Sequence, residues 1–362
     1  MKITKPTLIL DKEVCICNIR KMAGKASRNN VEFRPHFKTH QSHEVGRWFR
    51  EFGIDKITVS SVSMAKYFVQ DGWSDITIAI PVNILELDEI NTMASRIKIN
   101  VLVDSIDVVE LMDDKLKNAI GIFIKIDTGY HRTGVDATDV KAIEELVKKI
   151  DRSNKMEFKG FLTHSGNTYT TESRDEILNI YNDAISKLKI LKVHFINEYP
   201  DLMISFGDTP SLSILDEFSG IDEIRPGNFV YYDLMQYELG ACGLEDIALK
   251  IVCPVISKSI NRNEIVVYGG GVHLSKDRVQ LDGRSVFGRV DMINTEKVVD
   301  EIYLRSVSQE HGIIKVPKSY IEKVKHGDLI SIIPAHSCLT LNLHKSVYLR
   351  DFSELTNIHS GI

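Results

Sequence analysis

A lysine with several cationic or protonatable neighbours lies near the start of the chain, within the sequence RPHFKTH from Arg34 to His40. Lys38 follows a short apolar run that stops at Pro35, whose ring removes the backbone donor needed to continue a strand. Because Arg34, His36 and His40 bring positive charge close to the amine, they favour its neutral, nucleophilic form. The alternative is a solvated loop lysine. Because of these neighbours, we interpret Lys38 as a nucleophile.

A second candidate for chemistry is the sequence PAHSC, which ends at Cys338. It follows the apolar run Leu329–Ile333, so strand alternation predicts that the side chains of His336 and Cys338 lie on the same face. An imidazole and a thiolate can share one divalent ion, and the sulfur ligand favours zinc over magnesium or calcium. Two protein ligands are too few for a closed structural site. They suit an open site that water or substrate completes, as catalytic zinc requires.

Two other segments, FGDTPS and RPGN, carry small and hydroxyl residues suited to a phosphate group. Gly207, Thr209 and Ser211 offer backbone N–H groups and hydroxyls without steric bulk, and a following helix would present its positive end. Gly227 and Asn228 offer similar donors in the second segment. Taken alone, G-x-T-P-S is more often a helix cap. Its placement near RPGN favours a phosphate site.

Extended apolar runs alternate with helix-like segments over the first two thirds of the chain, and Val135–Ile150 is one of the predicted helices. Such alternation predicts an α/β fold with a closed parallel (β/α)8 barrel, and a doubly wound open sheet is the structural alternative. In a barrel, the residues directly after the strands converge on one face. The eight predicted strands are Val31–Phe33, Lys56–Val59, Ile76–Ile80, Ile97–Val103, Ile120–Ile126, Phe158–Thr163, Leu202–Phe206 and Glu223–Arg225.

After Cys242 the pattern changes to short β-like runs separated by turn residues. We therefore predict two domains, a barrel over residues 11–242 and a C-terminal all-β domain over residues 243–362. The early strand Thr7–Leu10, within residues 1–10, is expected to join the β domain. The predicted strands of that domain are Ile251–Ser257, Glu264–Tyr268, Glu301–Ser306, Asp328–Ile333 and Ser346–Leu349.

Composition excludes several classes of function. The chain has 362 residues, of which 43% are hydrophobic and 26% are charged, as in ordinary globular proteins. A net charge of −5 without a basic stripe argues against nucleic acid as a partner. No apolar run approaches a membrane span, and the N-terminus lacks a signal-peptide pattern, so a cytoplasmic protein with no membrane partner is expected.

These motifs resemble those of one enzyme family. RPHFKTH is similar to the segment that holds the Schiff-base lysine in D-serine dehydratases and D-threonine aldolases, which are pyridoxal-phosphate enzymes of the alanine-racemase-like fold. The family usually has a second lysine at Gln41, and a small neutral residue at Asp208 in the phosphate loop. PAHSC resembles the family's metal motif, and His311 resembles a group that supports a metal ligand. The resemblance runs from about Arg34 to about Val347, with the motifs in the right order.

The resemblance also implies roles for individual residues. Lys38 would be the residue that holds pyridoxal phosphate, and His336 and Cys338 would hold Zn²⁺ or another divalent metal. Arg132 lies in a stretch similar to the segment that places an arginine near the cofactor's phenolic oxygen, although an ion pair with Asp127 or Asp104 is the alternative. His164 stands where the family places an aromatic residue or histidine against the cofactor ring, and a histidine satisfied within the barrel core is the alternative. Apart from the resemblance, Tyr169 and Tyr231 are candidates for contact with the ring or substrate, although tyrosines are common at loop ends.

The expected activity is that of a metal-assisted lyase, dependent on pyridoxal phosphate, that acts on D-β-hydroxy-α-amino acids. Two reactions stay open, dehydration as in D-serine dehydratases and aldol cleavage as in D-threonine aldolases, and the Cys at position 338 favours dehydration. An amino-acid racemase on the same fold and a non-catalytic protein that binds pyridoxal phosphate are the alternatives. The resemblance also implies a homodimer, because in relatives the second domain of one subunit helps to close the other's site.

Overall fold

The computed structural model describes residues 2–281, 283–298 and 301–359, and these residues form two compact units. The first, here called the barrel unit, comprises Arg20–Lys38 and Arg47–Gly227. The second, here called the β unit, comprises the chain up to Ile19, the segment Thr39–Gly46 and the chain from Asn228 onward. The boundary between residues 242 and 243 stays a prediction. Residues 1, 282, 299, 300 and 360–362 of the predicted β domain lie outside the described residues.

The chain contains the following strands, numbered in chain order: β1 Thr7–Leu10, β2 Glu32–Phe33, β3 Ile57–Val59, β4 Asp75–Pro81, β5 Lys98–Val103, β6 Ile120–Asp127, β7 Val135–Asp136, β8 Met156–Thr163, β9 Met203–Phe206, β10 Glu223–Ile224, β11 Leu249–Ser259, β12 Glu264–Tyr268, β13 Val279–Leu281, β14 Arg284–Val286, β15 Gly288–Ile293, β16 Glu296–Lys297, β17 Tyr303–Val307, β18 His311–Lys315, β19 Leu329–Pro334, β20 Ser346–Leu349 and β21 Glu354–Thr356.

The α-helices, also in chain order, are α1 Lys12–Arg28, α2 His43–Arg50, α3 Val62–Gln70, α4 Leu87–Ala94, α5 Ile106–Lys115, α6 Val140–Asp151, α7 Arg174–Phe195, α8 Thr209–Ile214, α9 Leu234–Glu238, α10 Gly271–Leu274, α11 Lys318–Ile321 and α12 Ser337–Asn342. Across the described ranges, none of these helices has both the length and the apolar character needed to cross a bilayer.

The barrel unit is built on parallel strands in the order β2-β10-β9-β8-β6-β5-β4-β3. The two end strands also meet, because the Thr58 N–H donates to the Pro35 carbonyl at 2.9 Å and the Phe37 N–H donates to the Thr58 carbonyl at 2.8 Å. The sheet therefore closes on itself. The prediction of a parallel (β/α)8 barrel is confirmed, and the open doubly wound sheet is excluded.

Apolar side chains on the strands fill the barrel. Leu102, Phe123 and Leu162, from three neighbouring strands, are at most 2% exposed and pack together with Ala79 and Met203. Strands covered by helices on one side and by their own barrel on the other are buried on both faces, which explains why β6 is apolar except for Lys125 and Asp127.

One predicted helix begins later than its sequence pattern indicated. Residues 135 and 136 form β7, which pairs with β6, and helix α6 begins at Val140. The turn before β7 requires Gly134, because its φ is +112° and an added Cβ would lie 2.8 Å from the Asp127 nitrogen. Asp139 then caps the helix by accepting from the Ala142 N–H at 3.1 Å.

The β unit contains a closed antiparallel barrel. Strands β11, β12, β18, β17, β15 and β19 follow one another around it, and β19 pairs back with β11. The early strand β1 joins this unit, where it pairs antiparallel with β11 and parallel with β20. The prediction of an all-β second architecture is confirmed.

Candidate active site

Lys38 lies just beyond β2, at the carboxyl end of a barrel strand, and its side chain is exposed. Its backbone N–H donates to His36 Nδ1 at 3.4 Å. Burial and the charge of Lys38 together hold the pKa of His164 well below its usual value. Lys38 and His164 both follow strands of the barrel unit at their carboxyl ends, where strand ends converge.

His164 follows β8 and is fixed by the loop after the next strand. Its Nδ1 donates to the Gly207 carbonyl at 2.5 Å, which leaves Nε2 as an acceptor. Because of the lowered pKa, the ring is neutral at pH 7. The rings of Tyr130 and Tyr169 lie 6.0 and 6.3 Å from the His164 ring. A neutral imidazole flanked by two aromatic rings suits contact with a planar heterocycle.

The two predicted phosphate segments touch each other within the barrel unit. The Gly227 N–H donates to Thr209 Oγ1 at 3.3 Å, and the Thr209 N–H donates to the Tyr169 hydroxyl at 3.2 Å. Ser211 Oγ is buried and has no hydrogen-bond partner among the described residues. A buried hydroxyl in this state fits an oxygen-rich ligand. The segments therefore suit the phosphate of pyridoxal phosphate.

Arg132 is exposed, with its guanidinium 4.9 Å from the centre of the Tyr130 ring. The two carboxylates considered as its partners bond elsewhere. Asp127 Oδ1 accepts from three backbone N–H groups, including that of Gly129 at 2.9 Å. Asp104 Oδ2 accepts from the Gly134 N–H at 3.0 Å. The guanidinium is thus held by an aromatic face, which leaves its donors for a ligand.

Two buried cations below the barrel mouth were missed by the sequence analysis. Arg225 donates to the Thr163 carbonyl at 2.7 Å and to Ser205 Oγ at 2.5 Å. Lys125 Nζ donates to the Ile126 carbonyl at 2.9 Å, and burial together with the Arg225 charge lowers the pKa of Lys125 to about 8. Positive charge in this low-dielectric interior favours an anionic ligand.

In the β unit, the structure brings His336 and Cys338 together by a different route from the predicted one. Strand β19 ends at Pro334, His336 is the N-cap of α12 and Cys338 lies in the first turn of that helix. The prediction that strand alternation aligns the two side chains is wrong. The chain turns from strand into helix between them, and this turn places the imidazole against the thiol.

The two side chains form a polarised pair. His336 Nδ1 donates to Asp277 Oδ2 at 2.9 Å, leaving Nε2 for another partner. Burial alone would lower the pKa of His336, but Asp277 and Cys338 raise it to about 11. Burial would raise the pKa of Cys338, but its hydrogen bond with His336 brings it below its usual value.

A soft thiolate, an imidazole and a carboxylate behind the imidazole are the donor set that zinc sites use. His336 and Cys338 therefore fit a zinc ion. Within residues 2–281, 283–298 and 301–359, no group of three or more His, Cys, Asp and Glu side chains is arranged to hold a metal. The remaining coordination positions would fall to water or substrate, as in catalytic sites.

A hydrogen-bond network holds His336 and Cys338, here called the metal pair, in place. Cys338 Sγ lies 3.4 Å from Thr39 Oγ1 and 3.5 Å from Asn228 Nδ2. Asn228 Nδ2 also donates to Asp233 Oδ2 at 2.7 Å, and Asp233 Oδ2 accepts from the Ser337 N–H at 2.9 Å. The side chain of Asn228, which the sequence assigned to phosphate, therefore contacts the metal segment.

Sequence reasoning missed Thr39, Asp233 and Asp277, because each is far from the metal motif in the chain. Thr39 belongs to the lysine motif RPHFKTH, and Asp277 ends the glycine-rich segment GGGVHLSKD. Their places in these two segments were the signals that the sequence offered for them. His311, considered as the supporting group, is exposed at the start of β18. The group that supports His336 is Asp277 instead.

Comparisons with known proteins agree with this architecture. Residues 11–234 match the alanine racemase N-terminal domain, and residues 248–350 match the putative serine dehydratase domain. A D-serine dehydratase from Dictyostelium discoideum is 32% identical, in an alignment that covers 93% of this chain and 90% of that protein.

Solved structures share the fold. The D-threo-3-hydroxyaspartate dehydratase from Delftia sp. HT23 aligns with a TM-score of 0.90 and 24% identity over 99% of this chain and 98% of that one. A variant of the same enzyme, with cysteine replaced by alanine and in the metal-free form, aligns with a TM-score of 0.89 and 24% identity over the same shares of the two chains. At this identity the likeness establishes the fold alone.

Proposed function

Because this chain belongs to the serine dehydratase family built on the alanine racemase N-terminal domain, we propose that it is a lyase dependent on pyridoxal phosphate. Its substrates are D-β-hydroxy-α-amino acids, and dehydration is the reaction. The 32% identical relative is a D-serine dehydratase, and a cysteine at position 338 agrees with dehydration.

The observation that carries this proposal is the contact between Cys338 Sγ and Thr39 Oγ1 at 3.4 Å. Thr39 directly follows Lys38 in the chain, so the thiol of the metal pair touches the residue next to the reactive amine. A racemase has no need for a metal pair, and a non-catalytic binding protein has no use for one either. A metal-assisted lyase uses both groups on one substrate.

Lys38 would hold pyridoxal phosphate, and the segments around Gly207, Thr209, Ser211 and Gly227 would hold its phosphate group. When bound, pyridoxal phosphate supplies an electron sink for negative charge at the α-carbon. Once the amino group of the substrate has taken its place on the cofactor, the freed Lys38 Nζ would take the α-proton of the substrate. Three groups around the cofactor ring support this step.

His164, neutral and fixed by the Gly207 carbonyl, keeps Nε2 as an uncharged acceptor beside Lys38. Arg132, stacked on Tyr130, would donate to ligand oxygens, and Tyr169 bounds the site through its bond to the Thr209 N–H. These groups bind and orient, so they affect substrate geometry more than proton transfer.

His336 and Cys338 would hold zinc, which polarises the β-hydroxyl as a Lewis acid and so assists its departure. Asp277 fixes the His336 ring with Nε2 as the ligating atom, and Thr39 and Asn228 fix the thiolate.

The test is a product assay with the purified protein, pyridoxal phosphate and ZnCl₂. We expect pyruvate and ammonia from D-serine, little acetaldehyde from D-threonine and no product from L-serine. Lys38→Ala and Cys338→Ala should abolish pyruvate formation, whereas Lys66→Ala, which alters a half-exposed surface lysine, should leave it unchanged. If acetaldehyde is the only product released, the reaction is aldol cleavage and not dehydration. Inversion of D-alanine without either product would favour the racemase.

We further propose a cytoplasmic homodimer. In the β unit, Val272 on α10, Leu339 on α12 and Leu343, which directly follows α12, are 40–46% exposed, and Thr340 Oγ1 ties the two helices by donating to the Leu274 carbonyl at 2.9 Å. An exposed apolar surface of this kind suits a second copy of the chain. Light scattering during size-exclusion chromatography should give twice the mass of the chain. Leu339→Glu should lower the measured mass toward that of the monomer.

A further inference from the structure

A buried carboxyl lies in the middle of the phosphate segment FGDTPS, where an anion is expected to bind. Asp208 is only 2% exposed and is the N-cap of α8. Its Oδ1 accepts from the Ser211 N–H at 2.7 Å. An aspartate at this position stabilises the helix, but it also brings a negative charge to the place intended for a phosphate.

The Asp208 carboxylate accepts a hydrogen bond from a backbone N–H group that an anionic ligand would otherwise use. The Thr209 N–H already donates to the Tyr169 hydroxyl at 3.2 Å, and Pro210 has no N–H. The Ser211 N–H is therefore the next donor of α8, and Asp208 holds it. Asp208 Oδ2 and Ser211 Oγ are both buried, and in the described part of the chain neither has a partner at good hydrogen-bond geometry, although the hydroxyls of Ser211 and Thr168 lie near the carboxyl. The site thus contains its own internal anion together with unsatisfied polar atoms.

The surroundings of Asp208 allow the carboxyl to change its charge near neutral pH. Burial raises the pKa of Asp208 to about 7, although the Ser211 N–H, nearby hydroxyls and the Arg225 charge lower it in part. Tyr181 faces it from α7, and the charge of Asp208 helps to raise the pKa of that phenol. His164, bonded to the Gly207 carbonyl, is neutral. Arg225 is thus the charged group that faces Asp208.

We propose that Asp208 must be neutral when a phosphate monoester occupies this site, so that binding of the cofactor's phosphate takes up one proton from the solvent at this carboxyl. The inference rests on the proposed function, because it takes Gly207–Ser211 as the phosphate site. Its physical reason is that two like charges in a buried site cannot both be sustained, so one of them is protonated. In the free protein the Asp208 carboxyl loses its proton as the pH rises above 7, and binding of the phosphate restores that proton.

The test is titration calorimetry with pyridoxamine 5′-phosphate, which carries the phosphate but forms no bond with Lys38. Measuring the heat at pH 8 in two buffers of different ionisation enthalpy gives the number of protons taken up. We expect roughly one proton per site for the wild type, and an affinity that falls about tenfold per pH unit above pH 7. Asp208→Asn and Asp208→Ser both keep a helix cap without a charge, so they should take up no proton and show a flatter pH dependence.

Asp175→Asn is the matched control, because Asp175 is an exposed carboxylate in the first turn of α7. It should behave as the wild type. Binding with the same proton uptake in the wild type and in both Asp208 variants overturns this inference alone. If pyridoxamine 5′-phosphate fails to bind and pyridoxal phosphate gives no absorbance change either, the proposed function and this inference both fall.

Discussion

Cys338 Sγ lies 3.4 Å from Thr39 Oγ1, and Thr39 is bonded through the backbone to Lys38. Both contacting residues belong to the β unit, while Lys38 belongs to the barrel unit. The lysine motif therefore supplies one residue to the support of the metal pair. We infer that RPHFKTH serves both halves of the proposed chemistry.

Replacing Thr39 by Val should weaken zinc binding about 10-fold or more, since the loss of a group that orients a metal ligand commonly costs this much. Competition with a chromogenic chelator measures the affinity without any substrate. Thr39→Ser keeps the hydroxyl and should bind zinc as the wild type does. Equal affinities for all three proteins would remove Thr39 from the support of the thiolate.

Arg34 and Glu223 form an ion pair inside the barrel unit, with Arg34 Nε and Glu223 Oε2 2.5 Å apart and side chains 6% and 0% exposed. Glu223→Gln would leave Arg34 with Asp75, whose Oδ1 lies 2.5 Å from Arg34 Nη1, as its remaining carboxylate partner, so the free energy of unfolding in urea should fall by about 1–3 kcal/mol.

The matched control for this ion pair is Glu89→Gln, which removes a pair with Lys66 whose side chains are about half exposed. Its effect should stay within about 0.5 kcal/mol. If Glu223→Gln cost no more than this control, the buried pair would contribute nothing to stability.

Gly160 in β8 has a φ of +132°, and an added Cβ would lie 2.1 Å from the Met203 carbonyl oxygen in the neighbouring strand. Gly160→Ala should therefore destabilise the barrel unit by about 3 kcal/mol or more, through backbone strain and a clash that only strand movement can relieve. Gly53→Ala, with a φ of +74° and nothing within 4 Å of the added Cβ, should cost only about 1 kcal/mol. Thermal unfolding of the two variants distinguishes clash from strain.

Lys125 is a buried amine whose pKa is lowered to about 8, chiefly by burial and next by Arg225. Since the folded pKa is below that of the unfolded chain, the cost of burying the charged amine is fully present below pH 8 and is relieved as the pH rises above it. Relative to Lys125→Met, the wild type should gain up to about 1.4 kcal/mol of unfolding free energy per pH unit between pH 8 and 10. A difference between the two proteins that does not change with pH would show that Lys125 titrates normally.

The barrel could be predicted from sequence because strands buried on both faces have largely apolar sequences, and β6 is an example that is apolar except for Lys125 and Asp127. The start of α6 could not, because the turn at Gly134 and the pairing of Val135 with Ile126 depend on the neighbouring strand. The spacing of apolar residues along the sequence does not indicate such contacts with a neighbouring strand.

The candidate site divides in the same way. Lys38, His336 and Cys338 stand in local motifs, so residue type and spacing indicated them. Asp277 and Thr39 reach the metal pair from 59 and 299 residues away, and no local pattern records these distances. Strand alternation predicted that the side chains of His336 and Cys338 lie together, and they do so for a different reason, because His336 begins a helix.

The central claim is that Lys38 is the lysine that binds pyridoxal phosphate. The purified protein, loaded with pyridoxal phosphate, is reduced with borohydride, digested and analysed by peptide mass spectrometry. We expect a pyridoxyl group on the peptide that contains Lys38, and no such label on the corresponding peptide of Lys38→Ala. A label on another lysine, or a loaded protein in which Lys38 stays unmodified, would contradict the account.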